Sequence, residues 1–219
     1  MKATCFLAMF TLGILLYGCA TIDAGGNVQS GIQAMLAGDN QAALRYFQTA
    51  AQQDPNYIYG AQLRHGVFSY LGRAQYLNKE YGQARQTLEK EVKRNSLDTL
   101  ALLYLGLTQV RLGDHQAGVK NIEASMKKIS SWIHYLNQVS PNNPWDPNEA
   151  ILNGSKNALA MISSGDIDWP RLLFDGESVG LGMERQEQTF QQQFIDSTHL
   201  RWNPGDPTDK RLFHAWTVG

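Results

Sequence analysis

The chain has 219 residues, 43% hydrophobic and 18% charged, with a formal net charge of -1. Such proportions belong to a globular protein and exclude a disordered one, and the length allows one ordinary domain or a short repeat array with an extension. The balanced charge excludes the broad positive field that draws in nucleic acid or an anionic membrane surface.

Residues 1–18 carry Lys2, then the run ATCFLAMFTLGILLY, then Gly18 immediately before Cys19. This is the order of the charged, apolar and cleavage regions of a secretory signal. Ala3 to Tyr17 is shorter than the roughly 20 apolar residues of a membrane span, so the segment is expected to be removed. With Leu16, Gly18 and Cys19 in place, it resembles a bacterial lipoprotein signal; Tyr17 departs from the pattern, which has a small residue there. The resemblance implies that Cys19 becomes the first residue and carries a thioether-linked diacylglycerol and an N-acyl chain such as palmitate. Ala20 would then sort the protein to the outer membrane, facing the periplasm, if the source is Gram-negative. Each buried methylene contributes about 0.8 kcal/mol, so two or three chains make a durable anchor where one does not. Cys19 could instead be a free thiol or the partner of Cys5. However, Cys5 lies in the segment expected to be lost, and a single remaining cysteine leaves no internal disulfide.

Beyond Cys19 the sequence repeats itself. GDNQAALRYFQTAAQQDPN from Gly38, NKEYGQARQTLEKEVKRNS from Asn78 and LGDHQAGVKNIEASMKKIS from Leu112 each place a small residue after a turn and a large apolar residue four positions later. Upstream of each turn is a second helical stretch with a glycine, Gly31, Gly72 or Gly106. The step from Gly72 to Gly106 has the 34-residue tetratricopeptide period, and the longer step from Gly31 to Gly72 implies an insertion after Asp54-Pro55-Asn56. The small residues Ala43, Ala84 and Gly118 keep the same steps. Together with Phe47, Ala50, Pro55, Leu71, Tyr81, Leu88, Leu105 and Ile122, they make residues 24 to about 132 resemble tetratricopeptide repeats. Glu91, Ser96 and Gly118 depart from the pattern, standing where alanine, proline and alanine are usual. Small residues let paired helices approach, turn glycines supply the positive φ that ends the first helix, and stacked pairs bury what one pair cannot.

The resemblance implies an all-α fold: a short helical-hairpin solenoid over residues 19–140, with a C-terminal helical cap and irregular tail over 141–219. It also implies a ligand groove lined by the first helix of each pair. Carried onto this chain, the groove positions include Ser69, Arg73 and Tyr76 in the second repeat and Leu103, Leu107 and Arg111 in the third, with Gly66, Leu77, Leu100 and Val110 beside them. LDTLALLYLGLTQVRLG is apolar on two faces at steps of three and four, the mark of a helix buried all round. Either a partner helix or peptide docks there or the protein's own C-terminal part does, and the internal occupant is favoured because monomers rarely expose large apolar patches.

In the C-terminal third, SSWIHYLNQV prolongs the last repeat helix and PNNPWDPN breaks it. NEAILNGSKNALAMISSG reads as a helix between Asp146-Pro147 and Gly165. DIDWPRLLF opens another, with Asp168 as N-cap and Pro170 early, and GMERQEQTFQQQFIDS is a polar helix with Phe190 and Phe194 as a narrow apolar stripe. The tail from Thr198 is expected to pack on the array through Trp202, Phe213 and Trp216.

Catalytic and metal signatures are missing from the sequence. Histidines 65, 115, 134, 199 and 214 lack metal spacing, and His115 falls at a turn where it is expected to be exposed. There is no Gly-x-Ser-x-Gly, and Gly176, Gly180 and Gly182 follow no strand that could present a phosphate loop. Asp166 and Asp168 beside Trp169 admit a paired-acid reading, but capping accounts for Asp168; Trp145, Trp169, Trp202 and Trp216 read as packing anchors more readily than as a sugar platform. The expectation is a non-enzymatic scaffold without cofactor or metal, held by its acyl anchor to the lipid membrane and docking an envelope protein or peptide. An accessory ligand-binding protein of an envelope transport system is the second reading, and an enzyme a distant third.

Overall fold

A computed structural model gives the structure of residues 24–200, with side chains described as far as residue 193. The expected signal segment with Cys19, the tail with its aromatic residues, and the side chain of Phe194 lie outside those bounds.

Asp39, Asp98, Asp114 and Asp168 each accept a hydrogen bond from the backbone N–H three residues on, at 2.9, 3.0, 3.4 and 3.1 Å. Each thereby satisfies an orphan donor at a helix start. The helices that follow are α2 (Asn40–Gln53), α5 (Thr99–Arg111), α6 (His115–Val139) and α8 (Trp169–Leu200). With α1 (24–36), α3 (Val67–Leu77), α4 (Tyr81–Arg94) and α7 (Ala150–Ser164), they make an all-α fold with eight helices among the described residues.

Successive helices pack against one another from α2 through α8, and α3 also packs on α5. The three glycines picked out by the repeat lie where one helix meets the next. A Cβ on Gly31 would come within 2.6 Å of the Phe47 ring, one on Gly72 within 2.4 Å of Leu88, and one on Gly106 within 2.8 Å of the Gly118 carbonyl. Gly38 and Gly113 turn the chain at φ +84°, but at the equivalent turn of the second repeat a lysine, Lys79, takes up the left-handed conformation at φ 64°.

The extra residues after Asn56 form a small hairpin in which β1 (Ile58–Tyr59) pairs antiparallel with β2 (His65–Gly66). Glu91, where alanine was expected, fits because Gly66 lies opposite: a Cβ there would meet the Glu91 Oε1 at 2.3 Å.

Among the described residues, the C-terminal third differs from the expectation in its last helix. The stretches expected as two helices are one helix, α8, continuous through Gly176, Gly180 and Gly182. These glycines persist in a helix because neighbours fill the space their side chains would take: Leu107 at Gly176, Tyr104 at Gly180 and Ile151 at Gly182. α7 ends, as expected, at Gly165 with φ 73°. Its start is less regular, since the Asp146 carboxylate reaches six residues on to the Leu152 N–H at 2.8 Å.

Candidate functional site

Of the six positions expected to line a groove, Arg73, Tyr76, Leu107 and Arg111 meet this chain's own α8, and Ser69 and Leu103 are buried. Leu107 touches α8 at Gly176. The Arg73 guanidinium, 1% exposed, is ion-paired with Glu184 at 3.3 Å. The Tyr76 hydroxyl donates to Glu177 at 2.5 Å, and Arg111 reaches the same carboxylate at 3.1 Å. Leu103 is fully buried, and Ser69, also buried, donates to Asp98 at 2.6 Å. The positions that the resemblance assigns to a groove are therefore covered, at Arg73, Tyr76, Leu107 and Arg111, by this chain's own α8.

The acids on α8 were not singled out in the sequence, where the helix reads as polar with a phenylalanine stripe. Phe190 does pack on the core, but Glu184 and Glu187 on the same helix are 4% and 2% exposed. The usable signal was spacing. Gly176, Gly180, Glu184 and Glu187 recur at steps of four, four and three, one face of a helix, and the carried-over groove positions Arg73 and Arg111 supply the opposite charge. Burial pushes the Glu184 carboxyl above the usual carboxylate range, and the attraction of Arg73 offsets this only in part. Glu187 uses its carboxylate differently, accepting the backbone N–H groups of Ala61, Gln62 and Leu63 at 2.6, 3.2 and 3.2 Å. That bond set fastens the hairpin tip to α8.

Beside this tip lies a buried polar knot around Asp98. One carboxylate oxygen meets His65 Nδ1 at 2.8 Å and accepts the Ala101 N–H; the other accepts the Gly66 N–H at 3.0 Å and the Ser69 hydroxyl. Burial by itself would raise the carboxyl pKa of Asp98, but His65, the Ala101 N–H and Ser69 together hold it below its ordinary range. For His65, burial disfavours the charged ring, yet Asp98, with Glu184 and Glu187 behind it, raises the imidazole above its ordinary value. A histidine, an acid and a serine so arranged are not a nucleophilic triad, because the serine donates to the acid instead of to the histidine and no base activates it. The knot ties β2, α3 and the start of α5 together.

Against the other side of His65 opens an apolar cavity of about 270 Å³. Its walls come from the hairpin (Leu63), α6 (Ile129, Trp132), the break before α7 (Trp145) and α8 (Met183), with Leu97 and Thr99 at the start of α5 and Gln62, Arg64 and Lys128 as polar members. Trp132 and Trp145 meet edge to face, ring centroids 4.6 Å apart. Trp145 is thus a packing anchor that also forms a cavity wall, and Trp169 lies over the exposed His115 ring at 3.9 Å.

Among the described residues no three His, Cys, Asp or Glu side chains gather into a metal-holding group, and no helix is long and apolar enough to cross a membrane. No family model matches the chain, and no curated protein sequence matches it.

Proposed function

We propose that this protein is a lipid-anchored scaffold of the cell envelope: a tetratricopeptide-type array tethered through Cys19, its groove closed by α8, that docks a protein partner on the surface left open. The repeat reading is supported by the close-packing glycines Gly31, Gly72 and Gly106 and by the packing of α3 on α5. The tether reading is supported by Leu16, Gly18 and Cys19 after an apolar run.

The observation that carries the docking proposal is the internal occupancy of the groove. With Arg73, Tyr76, Leu107 and Arg111 engaged by α8, an external partner has to use another surface, and the cavity mouth beside Leu97, 75% exposed, is apolar and open. A photo-crosslinking residue at Leu97 tests this in native membranes. A discrete protein adduct from Leu97, absent from the exposed Tyr135 on α6, is expected; identical adducts from both positions would refute it. For the tether, Cys19→Ser is expected to release the protein from the membrane fraction, and retention there sinks that part of the proposal.

The cavity also favours the second reading, a ligand-binding accessory protein of an envelope transport system. Concave apolar spaces with a few convergent polar groups are the usual form of small-ligand sites.

A further inference from the structure

We infer that the cavity between the 61–65 segment, Trp132 and Trp145 binds a carboxylate carried on a compact apolar body, an aromatic or branched-chain acid or the last residue of a polypeptide. The inference rests on the ligand-binding reading of this cavity and is independent of the anchor and the scaffold.

Three features of the walls converge on that chemistry. The first is size and polarity. A volume of about 270 Å³ equals roughly nine waters of liquid at about 30 Å³ each, room for about ten non-hydrogen atoms. Leu63, Ile129, Trp132, Trp145 and Met183 carry no polar side-chain group other than the two indole N–H groups.

The second is charge. Arg64 and Lys128 line the space, and no aspartate or glutamate does. Arg64 is exposed and has no carboxylate partner among the described residues, and Lys128 donates only to the Ser96 carbonyl, at 2.6 Å. The nearby acids are spoken for: Asp98 holds four donors, and Glu187 holds the backbone of 61–63. Two cations against an apolar wall, without a compensating acid, suit an anion better than a neutral ligand. A hydrogen bond to a charged group contributes about 1.5–3 kcal/mol, against about 1 kcal/mol for a neutral one.

The third is unused donor capacity. The Trp145 indole N–H has no acceptor among the described residues, although buried polar groups are nearly always paired; it is closed off from the cavity and meets a ligand only if the ring shifts. His65 gives Nδ1 to Asp98, so whatever it presents to the cavity comes from Nε2, which likewise meets no described protein partner.

The test is calorimetric titration of the full chain with 4-phenylbutyrate and with a tripeptide ending in phenylalanine as the free acid, each beside its amide. Saturable one-to-one binding of at least one acid is expected, with its amide weaker by roughly tenfold or more, and the arm that binds identifies the source. Arg64→Gln and Lys128→Gln should each weaken binding by about tenfold, the equivalent of about 1.4 kcal/mol, while Lys156→Gln, on the separate polar hollow between α6 and α7, should leave it unchanged. An amide binding as tightly as its acid overturns the carboxylate while leaving a ligand cavity; no saturable binding by any of the four probes overturns both. Binding indifferent to Arg64→Gln and Lys128→Gln would place the ligand elsewhere and overturn the inference.

Discussion

Asp98→Asn isolates what the buried knot contributes. The carboxylate, its side chain fully buried, accepts four hydrogen bonds, two per oxygen, and each oxygen serves one backbone N–H, Ala101 on one and Gly66 on the other. An asparagine amide keeps one oxygen. Whichever way it turns, its NH2 faces one of those backbone donors, which then lies buried and unpaired at a cost of about 1–3 kcal/mol. The Ser69 hydroxyl can rotate to accept, and a neutral His65 can accept at Nδ1, so those bonds adjust, but the charge-assisted bond between His65 and Asp98 is lost, adding about 1.5–3 kcal/mol. The sum, about 2.5–6 kcal/mol, is a large fraction of the roughly 5–15 kcal/mol that holds a typical domain together. Urea unfolding followed by helical circular dichroism should show the midpoint falling by about 1–3 M, with the slope unchanged. A loss below about 1 kcal/mol would refute the reasoning, because it would mean that both backbone donors find water or that the knot is not closed in solution. The same knot sets a pH dependence. The folded-state pKa of His65 is raised, so its contribution is complete below about 6.5 and is lost as pH rises through the folded value. That of Asp98 is lowered, so its contribution is complete above about 3.9 and is lost as pH falls through the folded value. Wild-type stability from this source is therefore greatest between the two, and Asp98→Asn should flatten the profile on both sides.

Gly180→Leu tests the docking of α8. A Cβ at this position already lies 2.8 Å from the Tyr104 ring, so hydrogen exchange should rise along α8 while α3 to α6 stay protected; unchanged protection of α8 would show that the groove accommodates the added bulk. Glu91→Gln should stabilise the protein at pH 8 and lose that advantage by pH 4, because burial, then the charge of Asp98, raises the Glu91 carboxyl and makes its ionised form the unfavourable one. Thermal melts at the two pH values decide this, and equal effects at both would count against it. Lys79→Gly should raise stability by about 0.5–1 kcal/mol, since an exposed lysine at φ 64° carries a strain that glycine does not, less the added freedom glycine gives the unfolded chain. A destabilised variant would mean that the Lys79 side chain makes a contribution larger than its backbone strain.

The helical order of this chain was legible locally. Turn residues, capping aspartates and apolar steps of three and four act within a few residues of themselves, which is why α2 to α7 fall where periodicity puts them and why the sequence marks Gly31, Gly72 and Gly106 as close-packing positions. The internal occupant of the groove was also foreseeable, from the apolar surface of α5 that had to be covered. What the sequence could not decide was which segment covers it, because that depends on complementarity between faces some 70 to 110 residues apart: Gly176 against Leu107, Glu184 against Arg73, Glu177 against Tyr76 and Arg111. Read along the chain, Gly176, Gly180 and Gly182 look like breaks and the glutamates like a solvated face. Only packing turns the first into contact points and buries the second. Likewise, nothing local to His65, Asp98, Trp132 or Trp145 marks a common site, since the cavity exists only where the hairpin, α6 and α8 meet. Short-range chemistry in the sequence set the helices, and long-range burial in the tertiary structure chose which of their faces are left to meet a ligand.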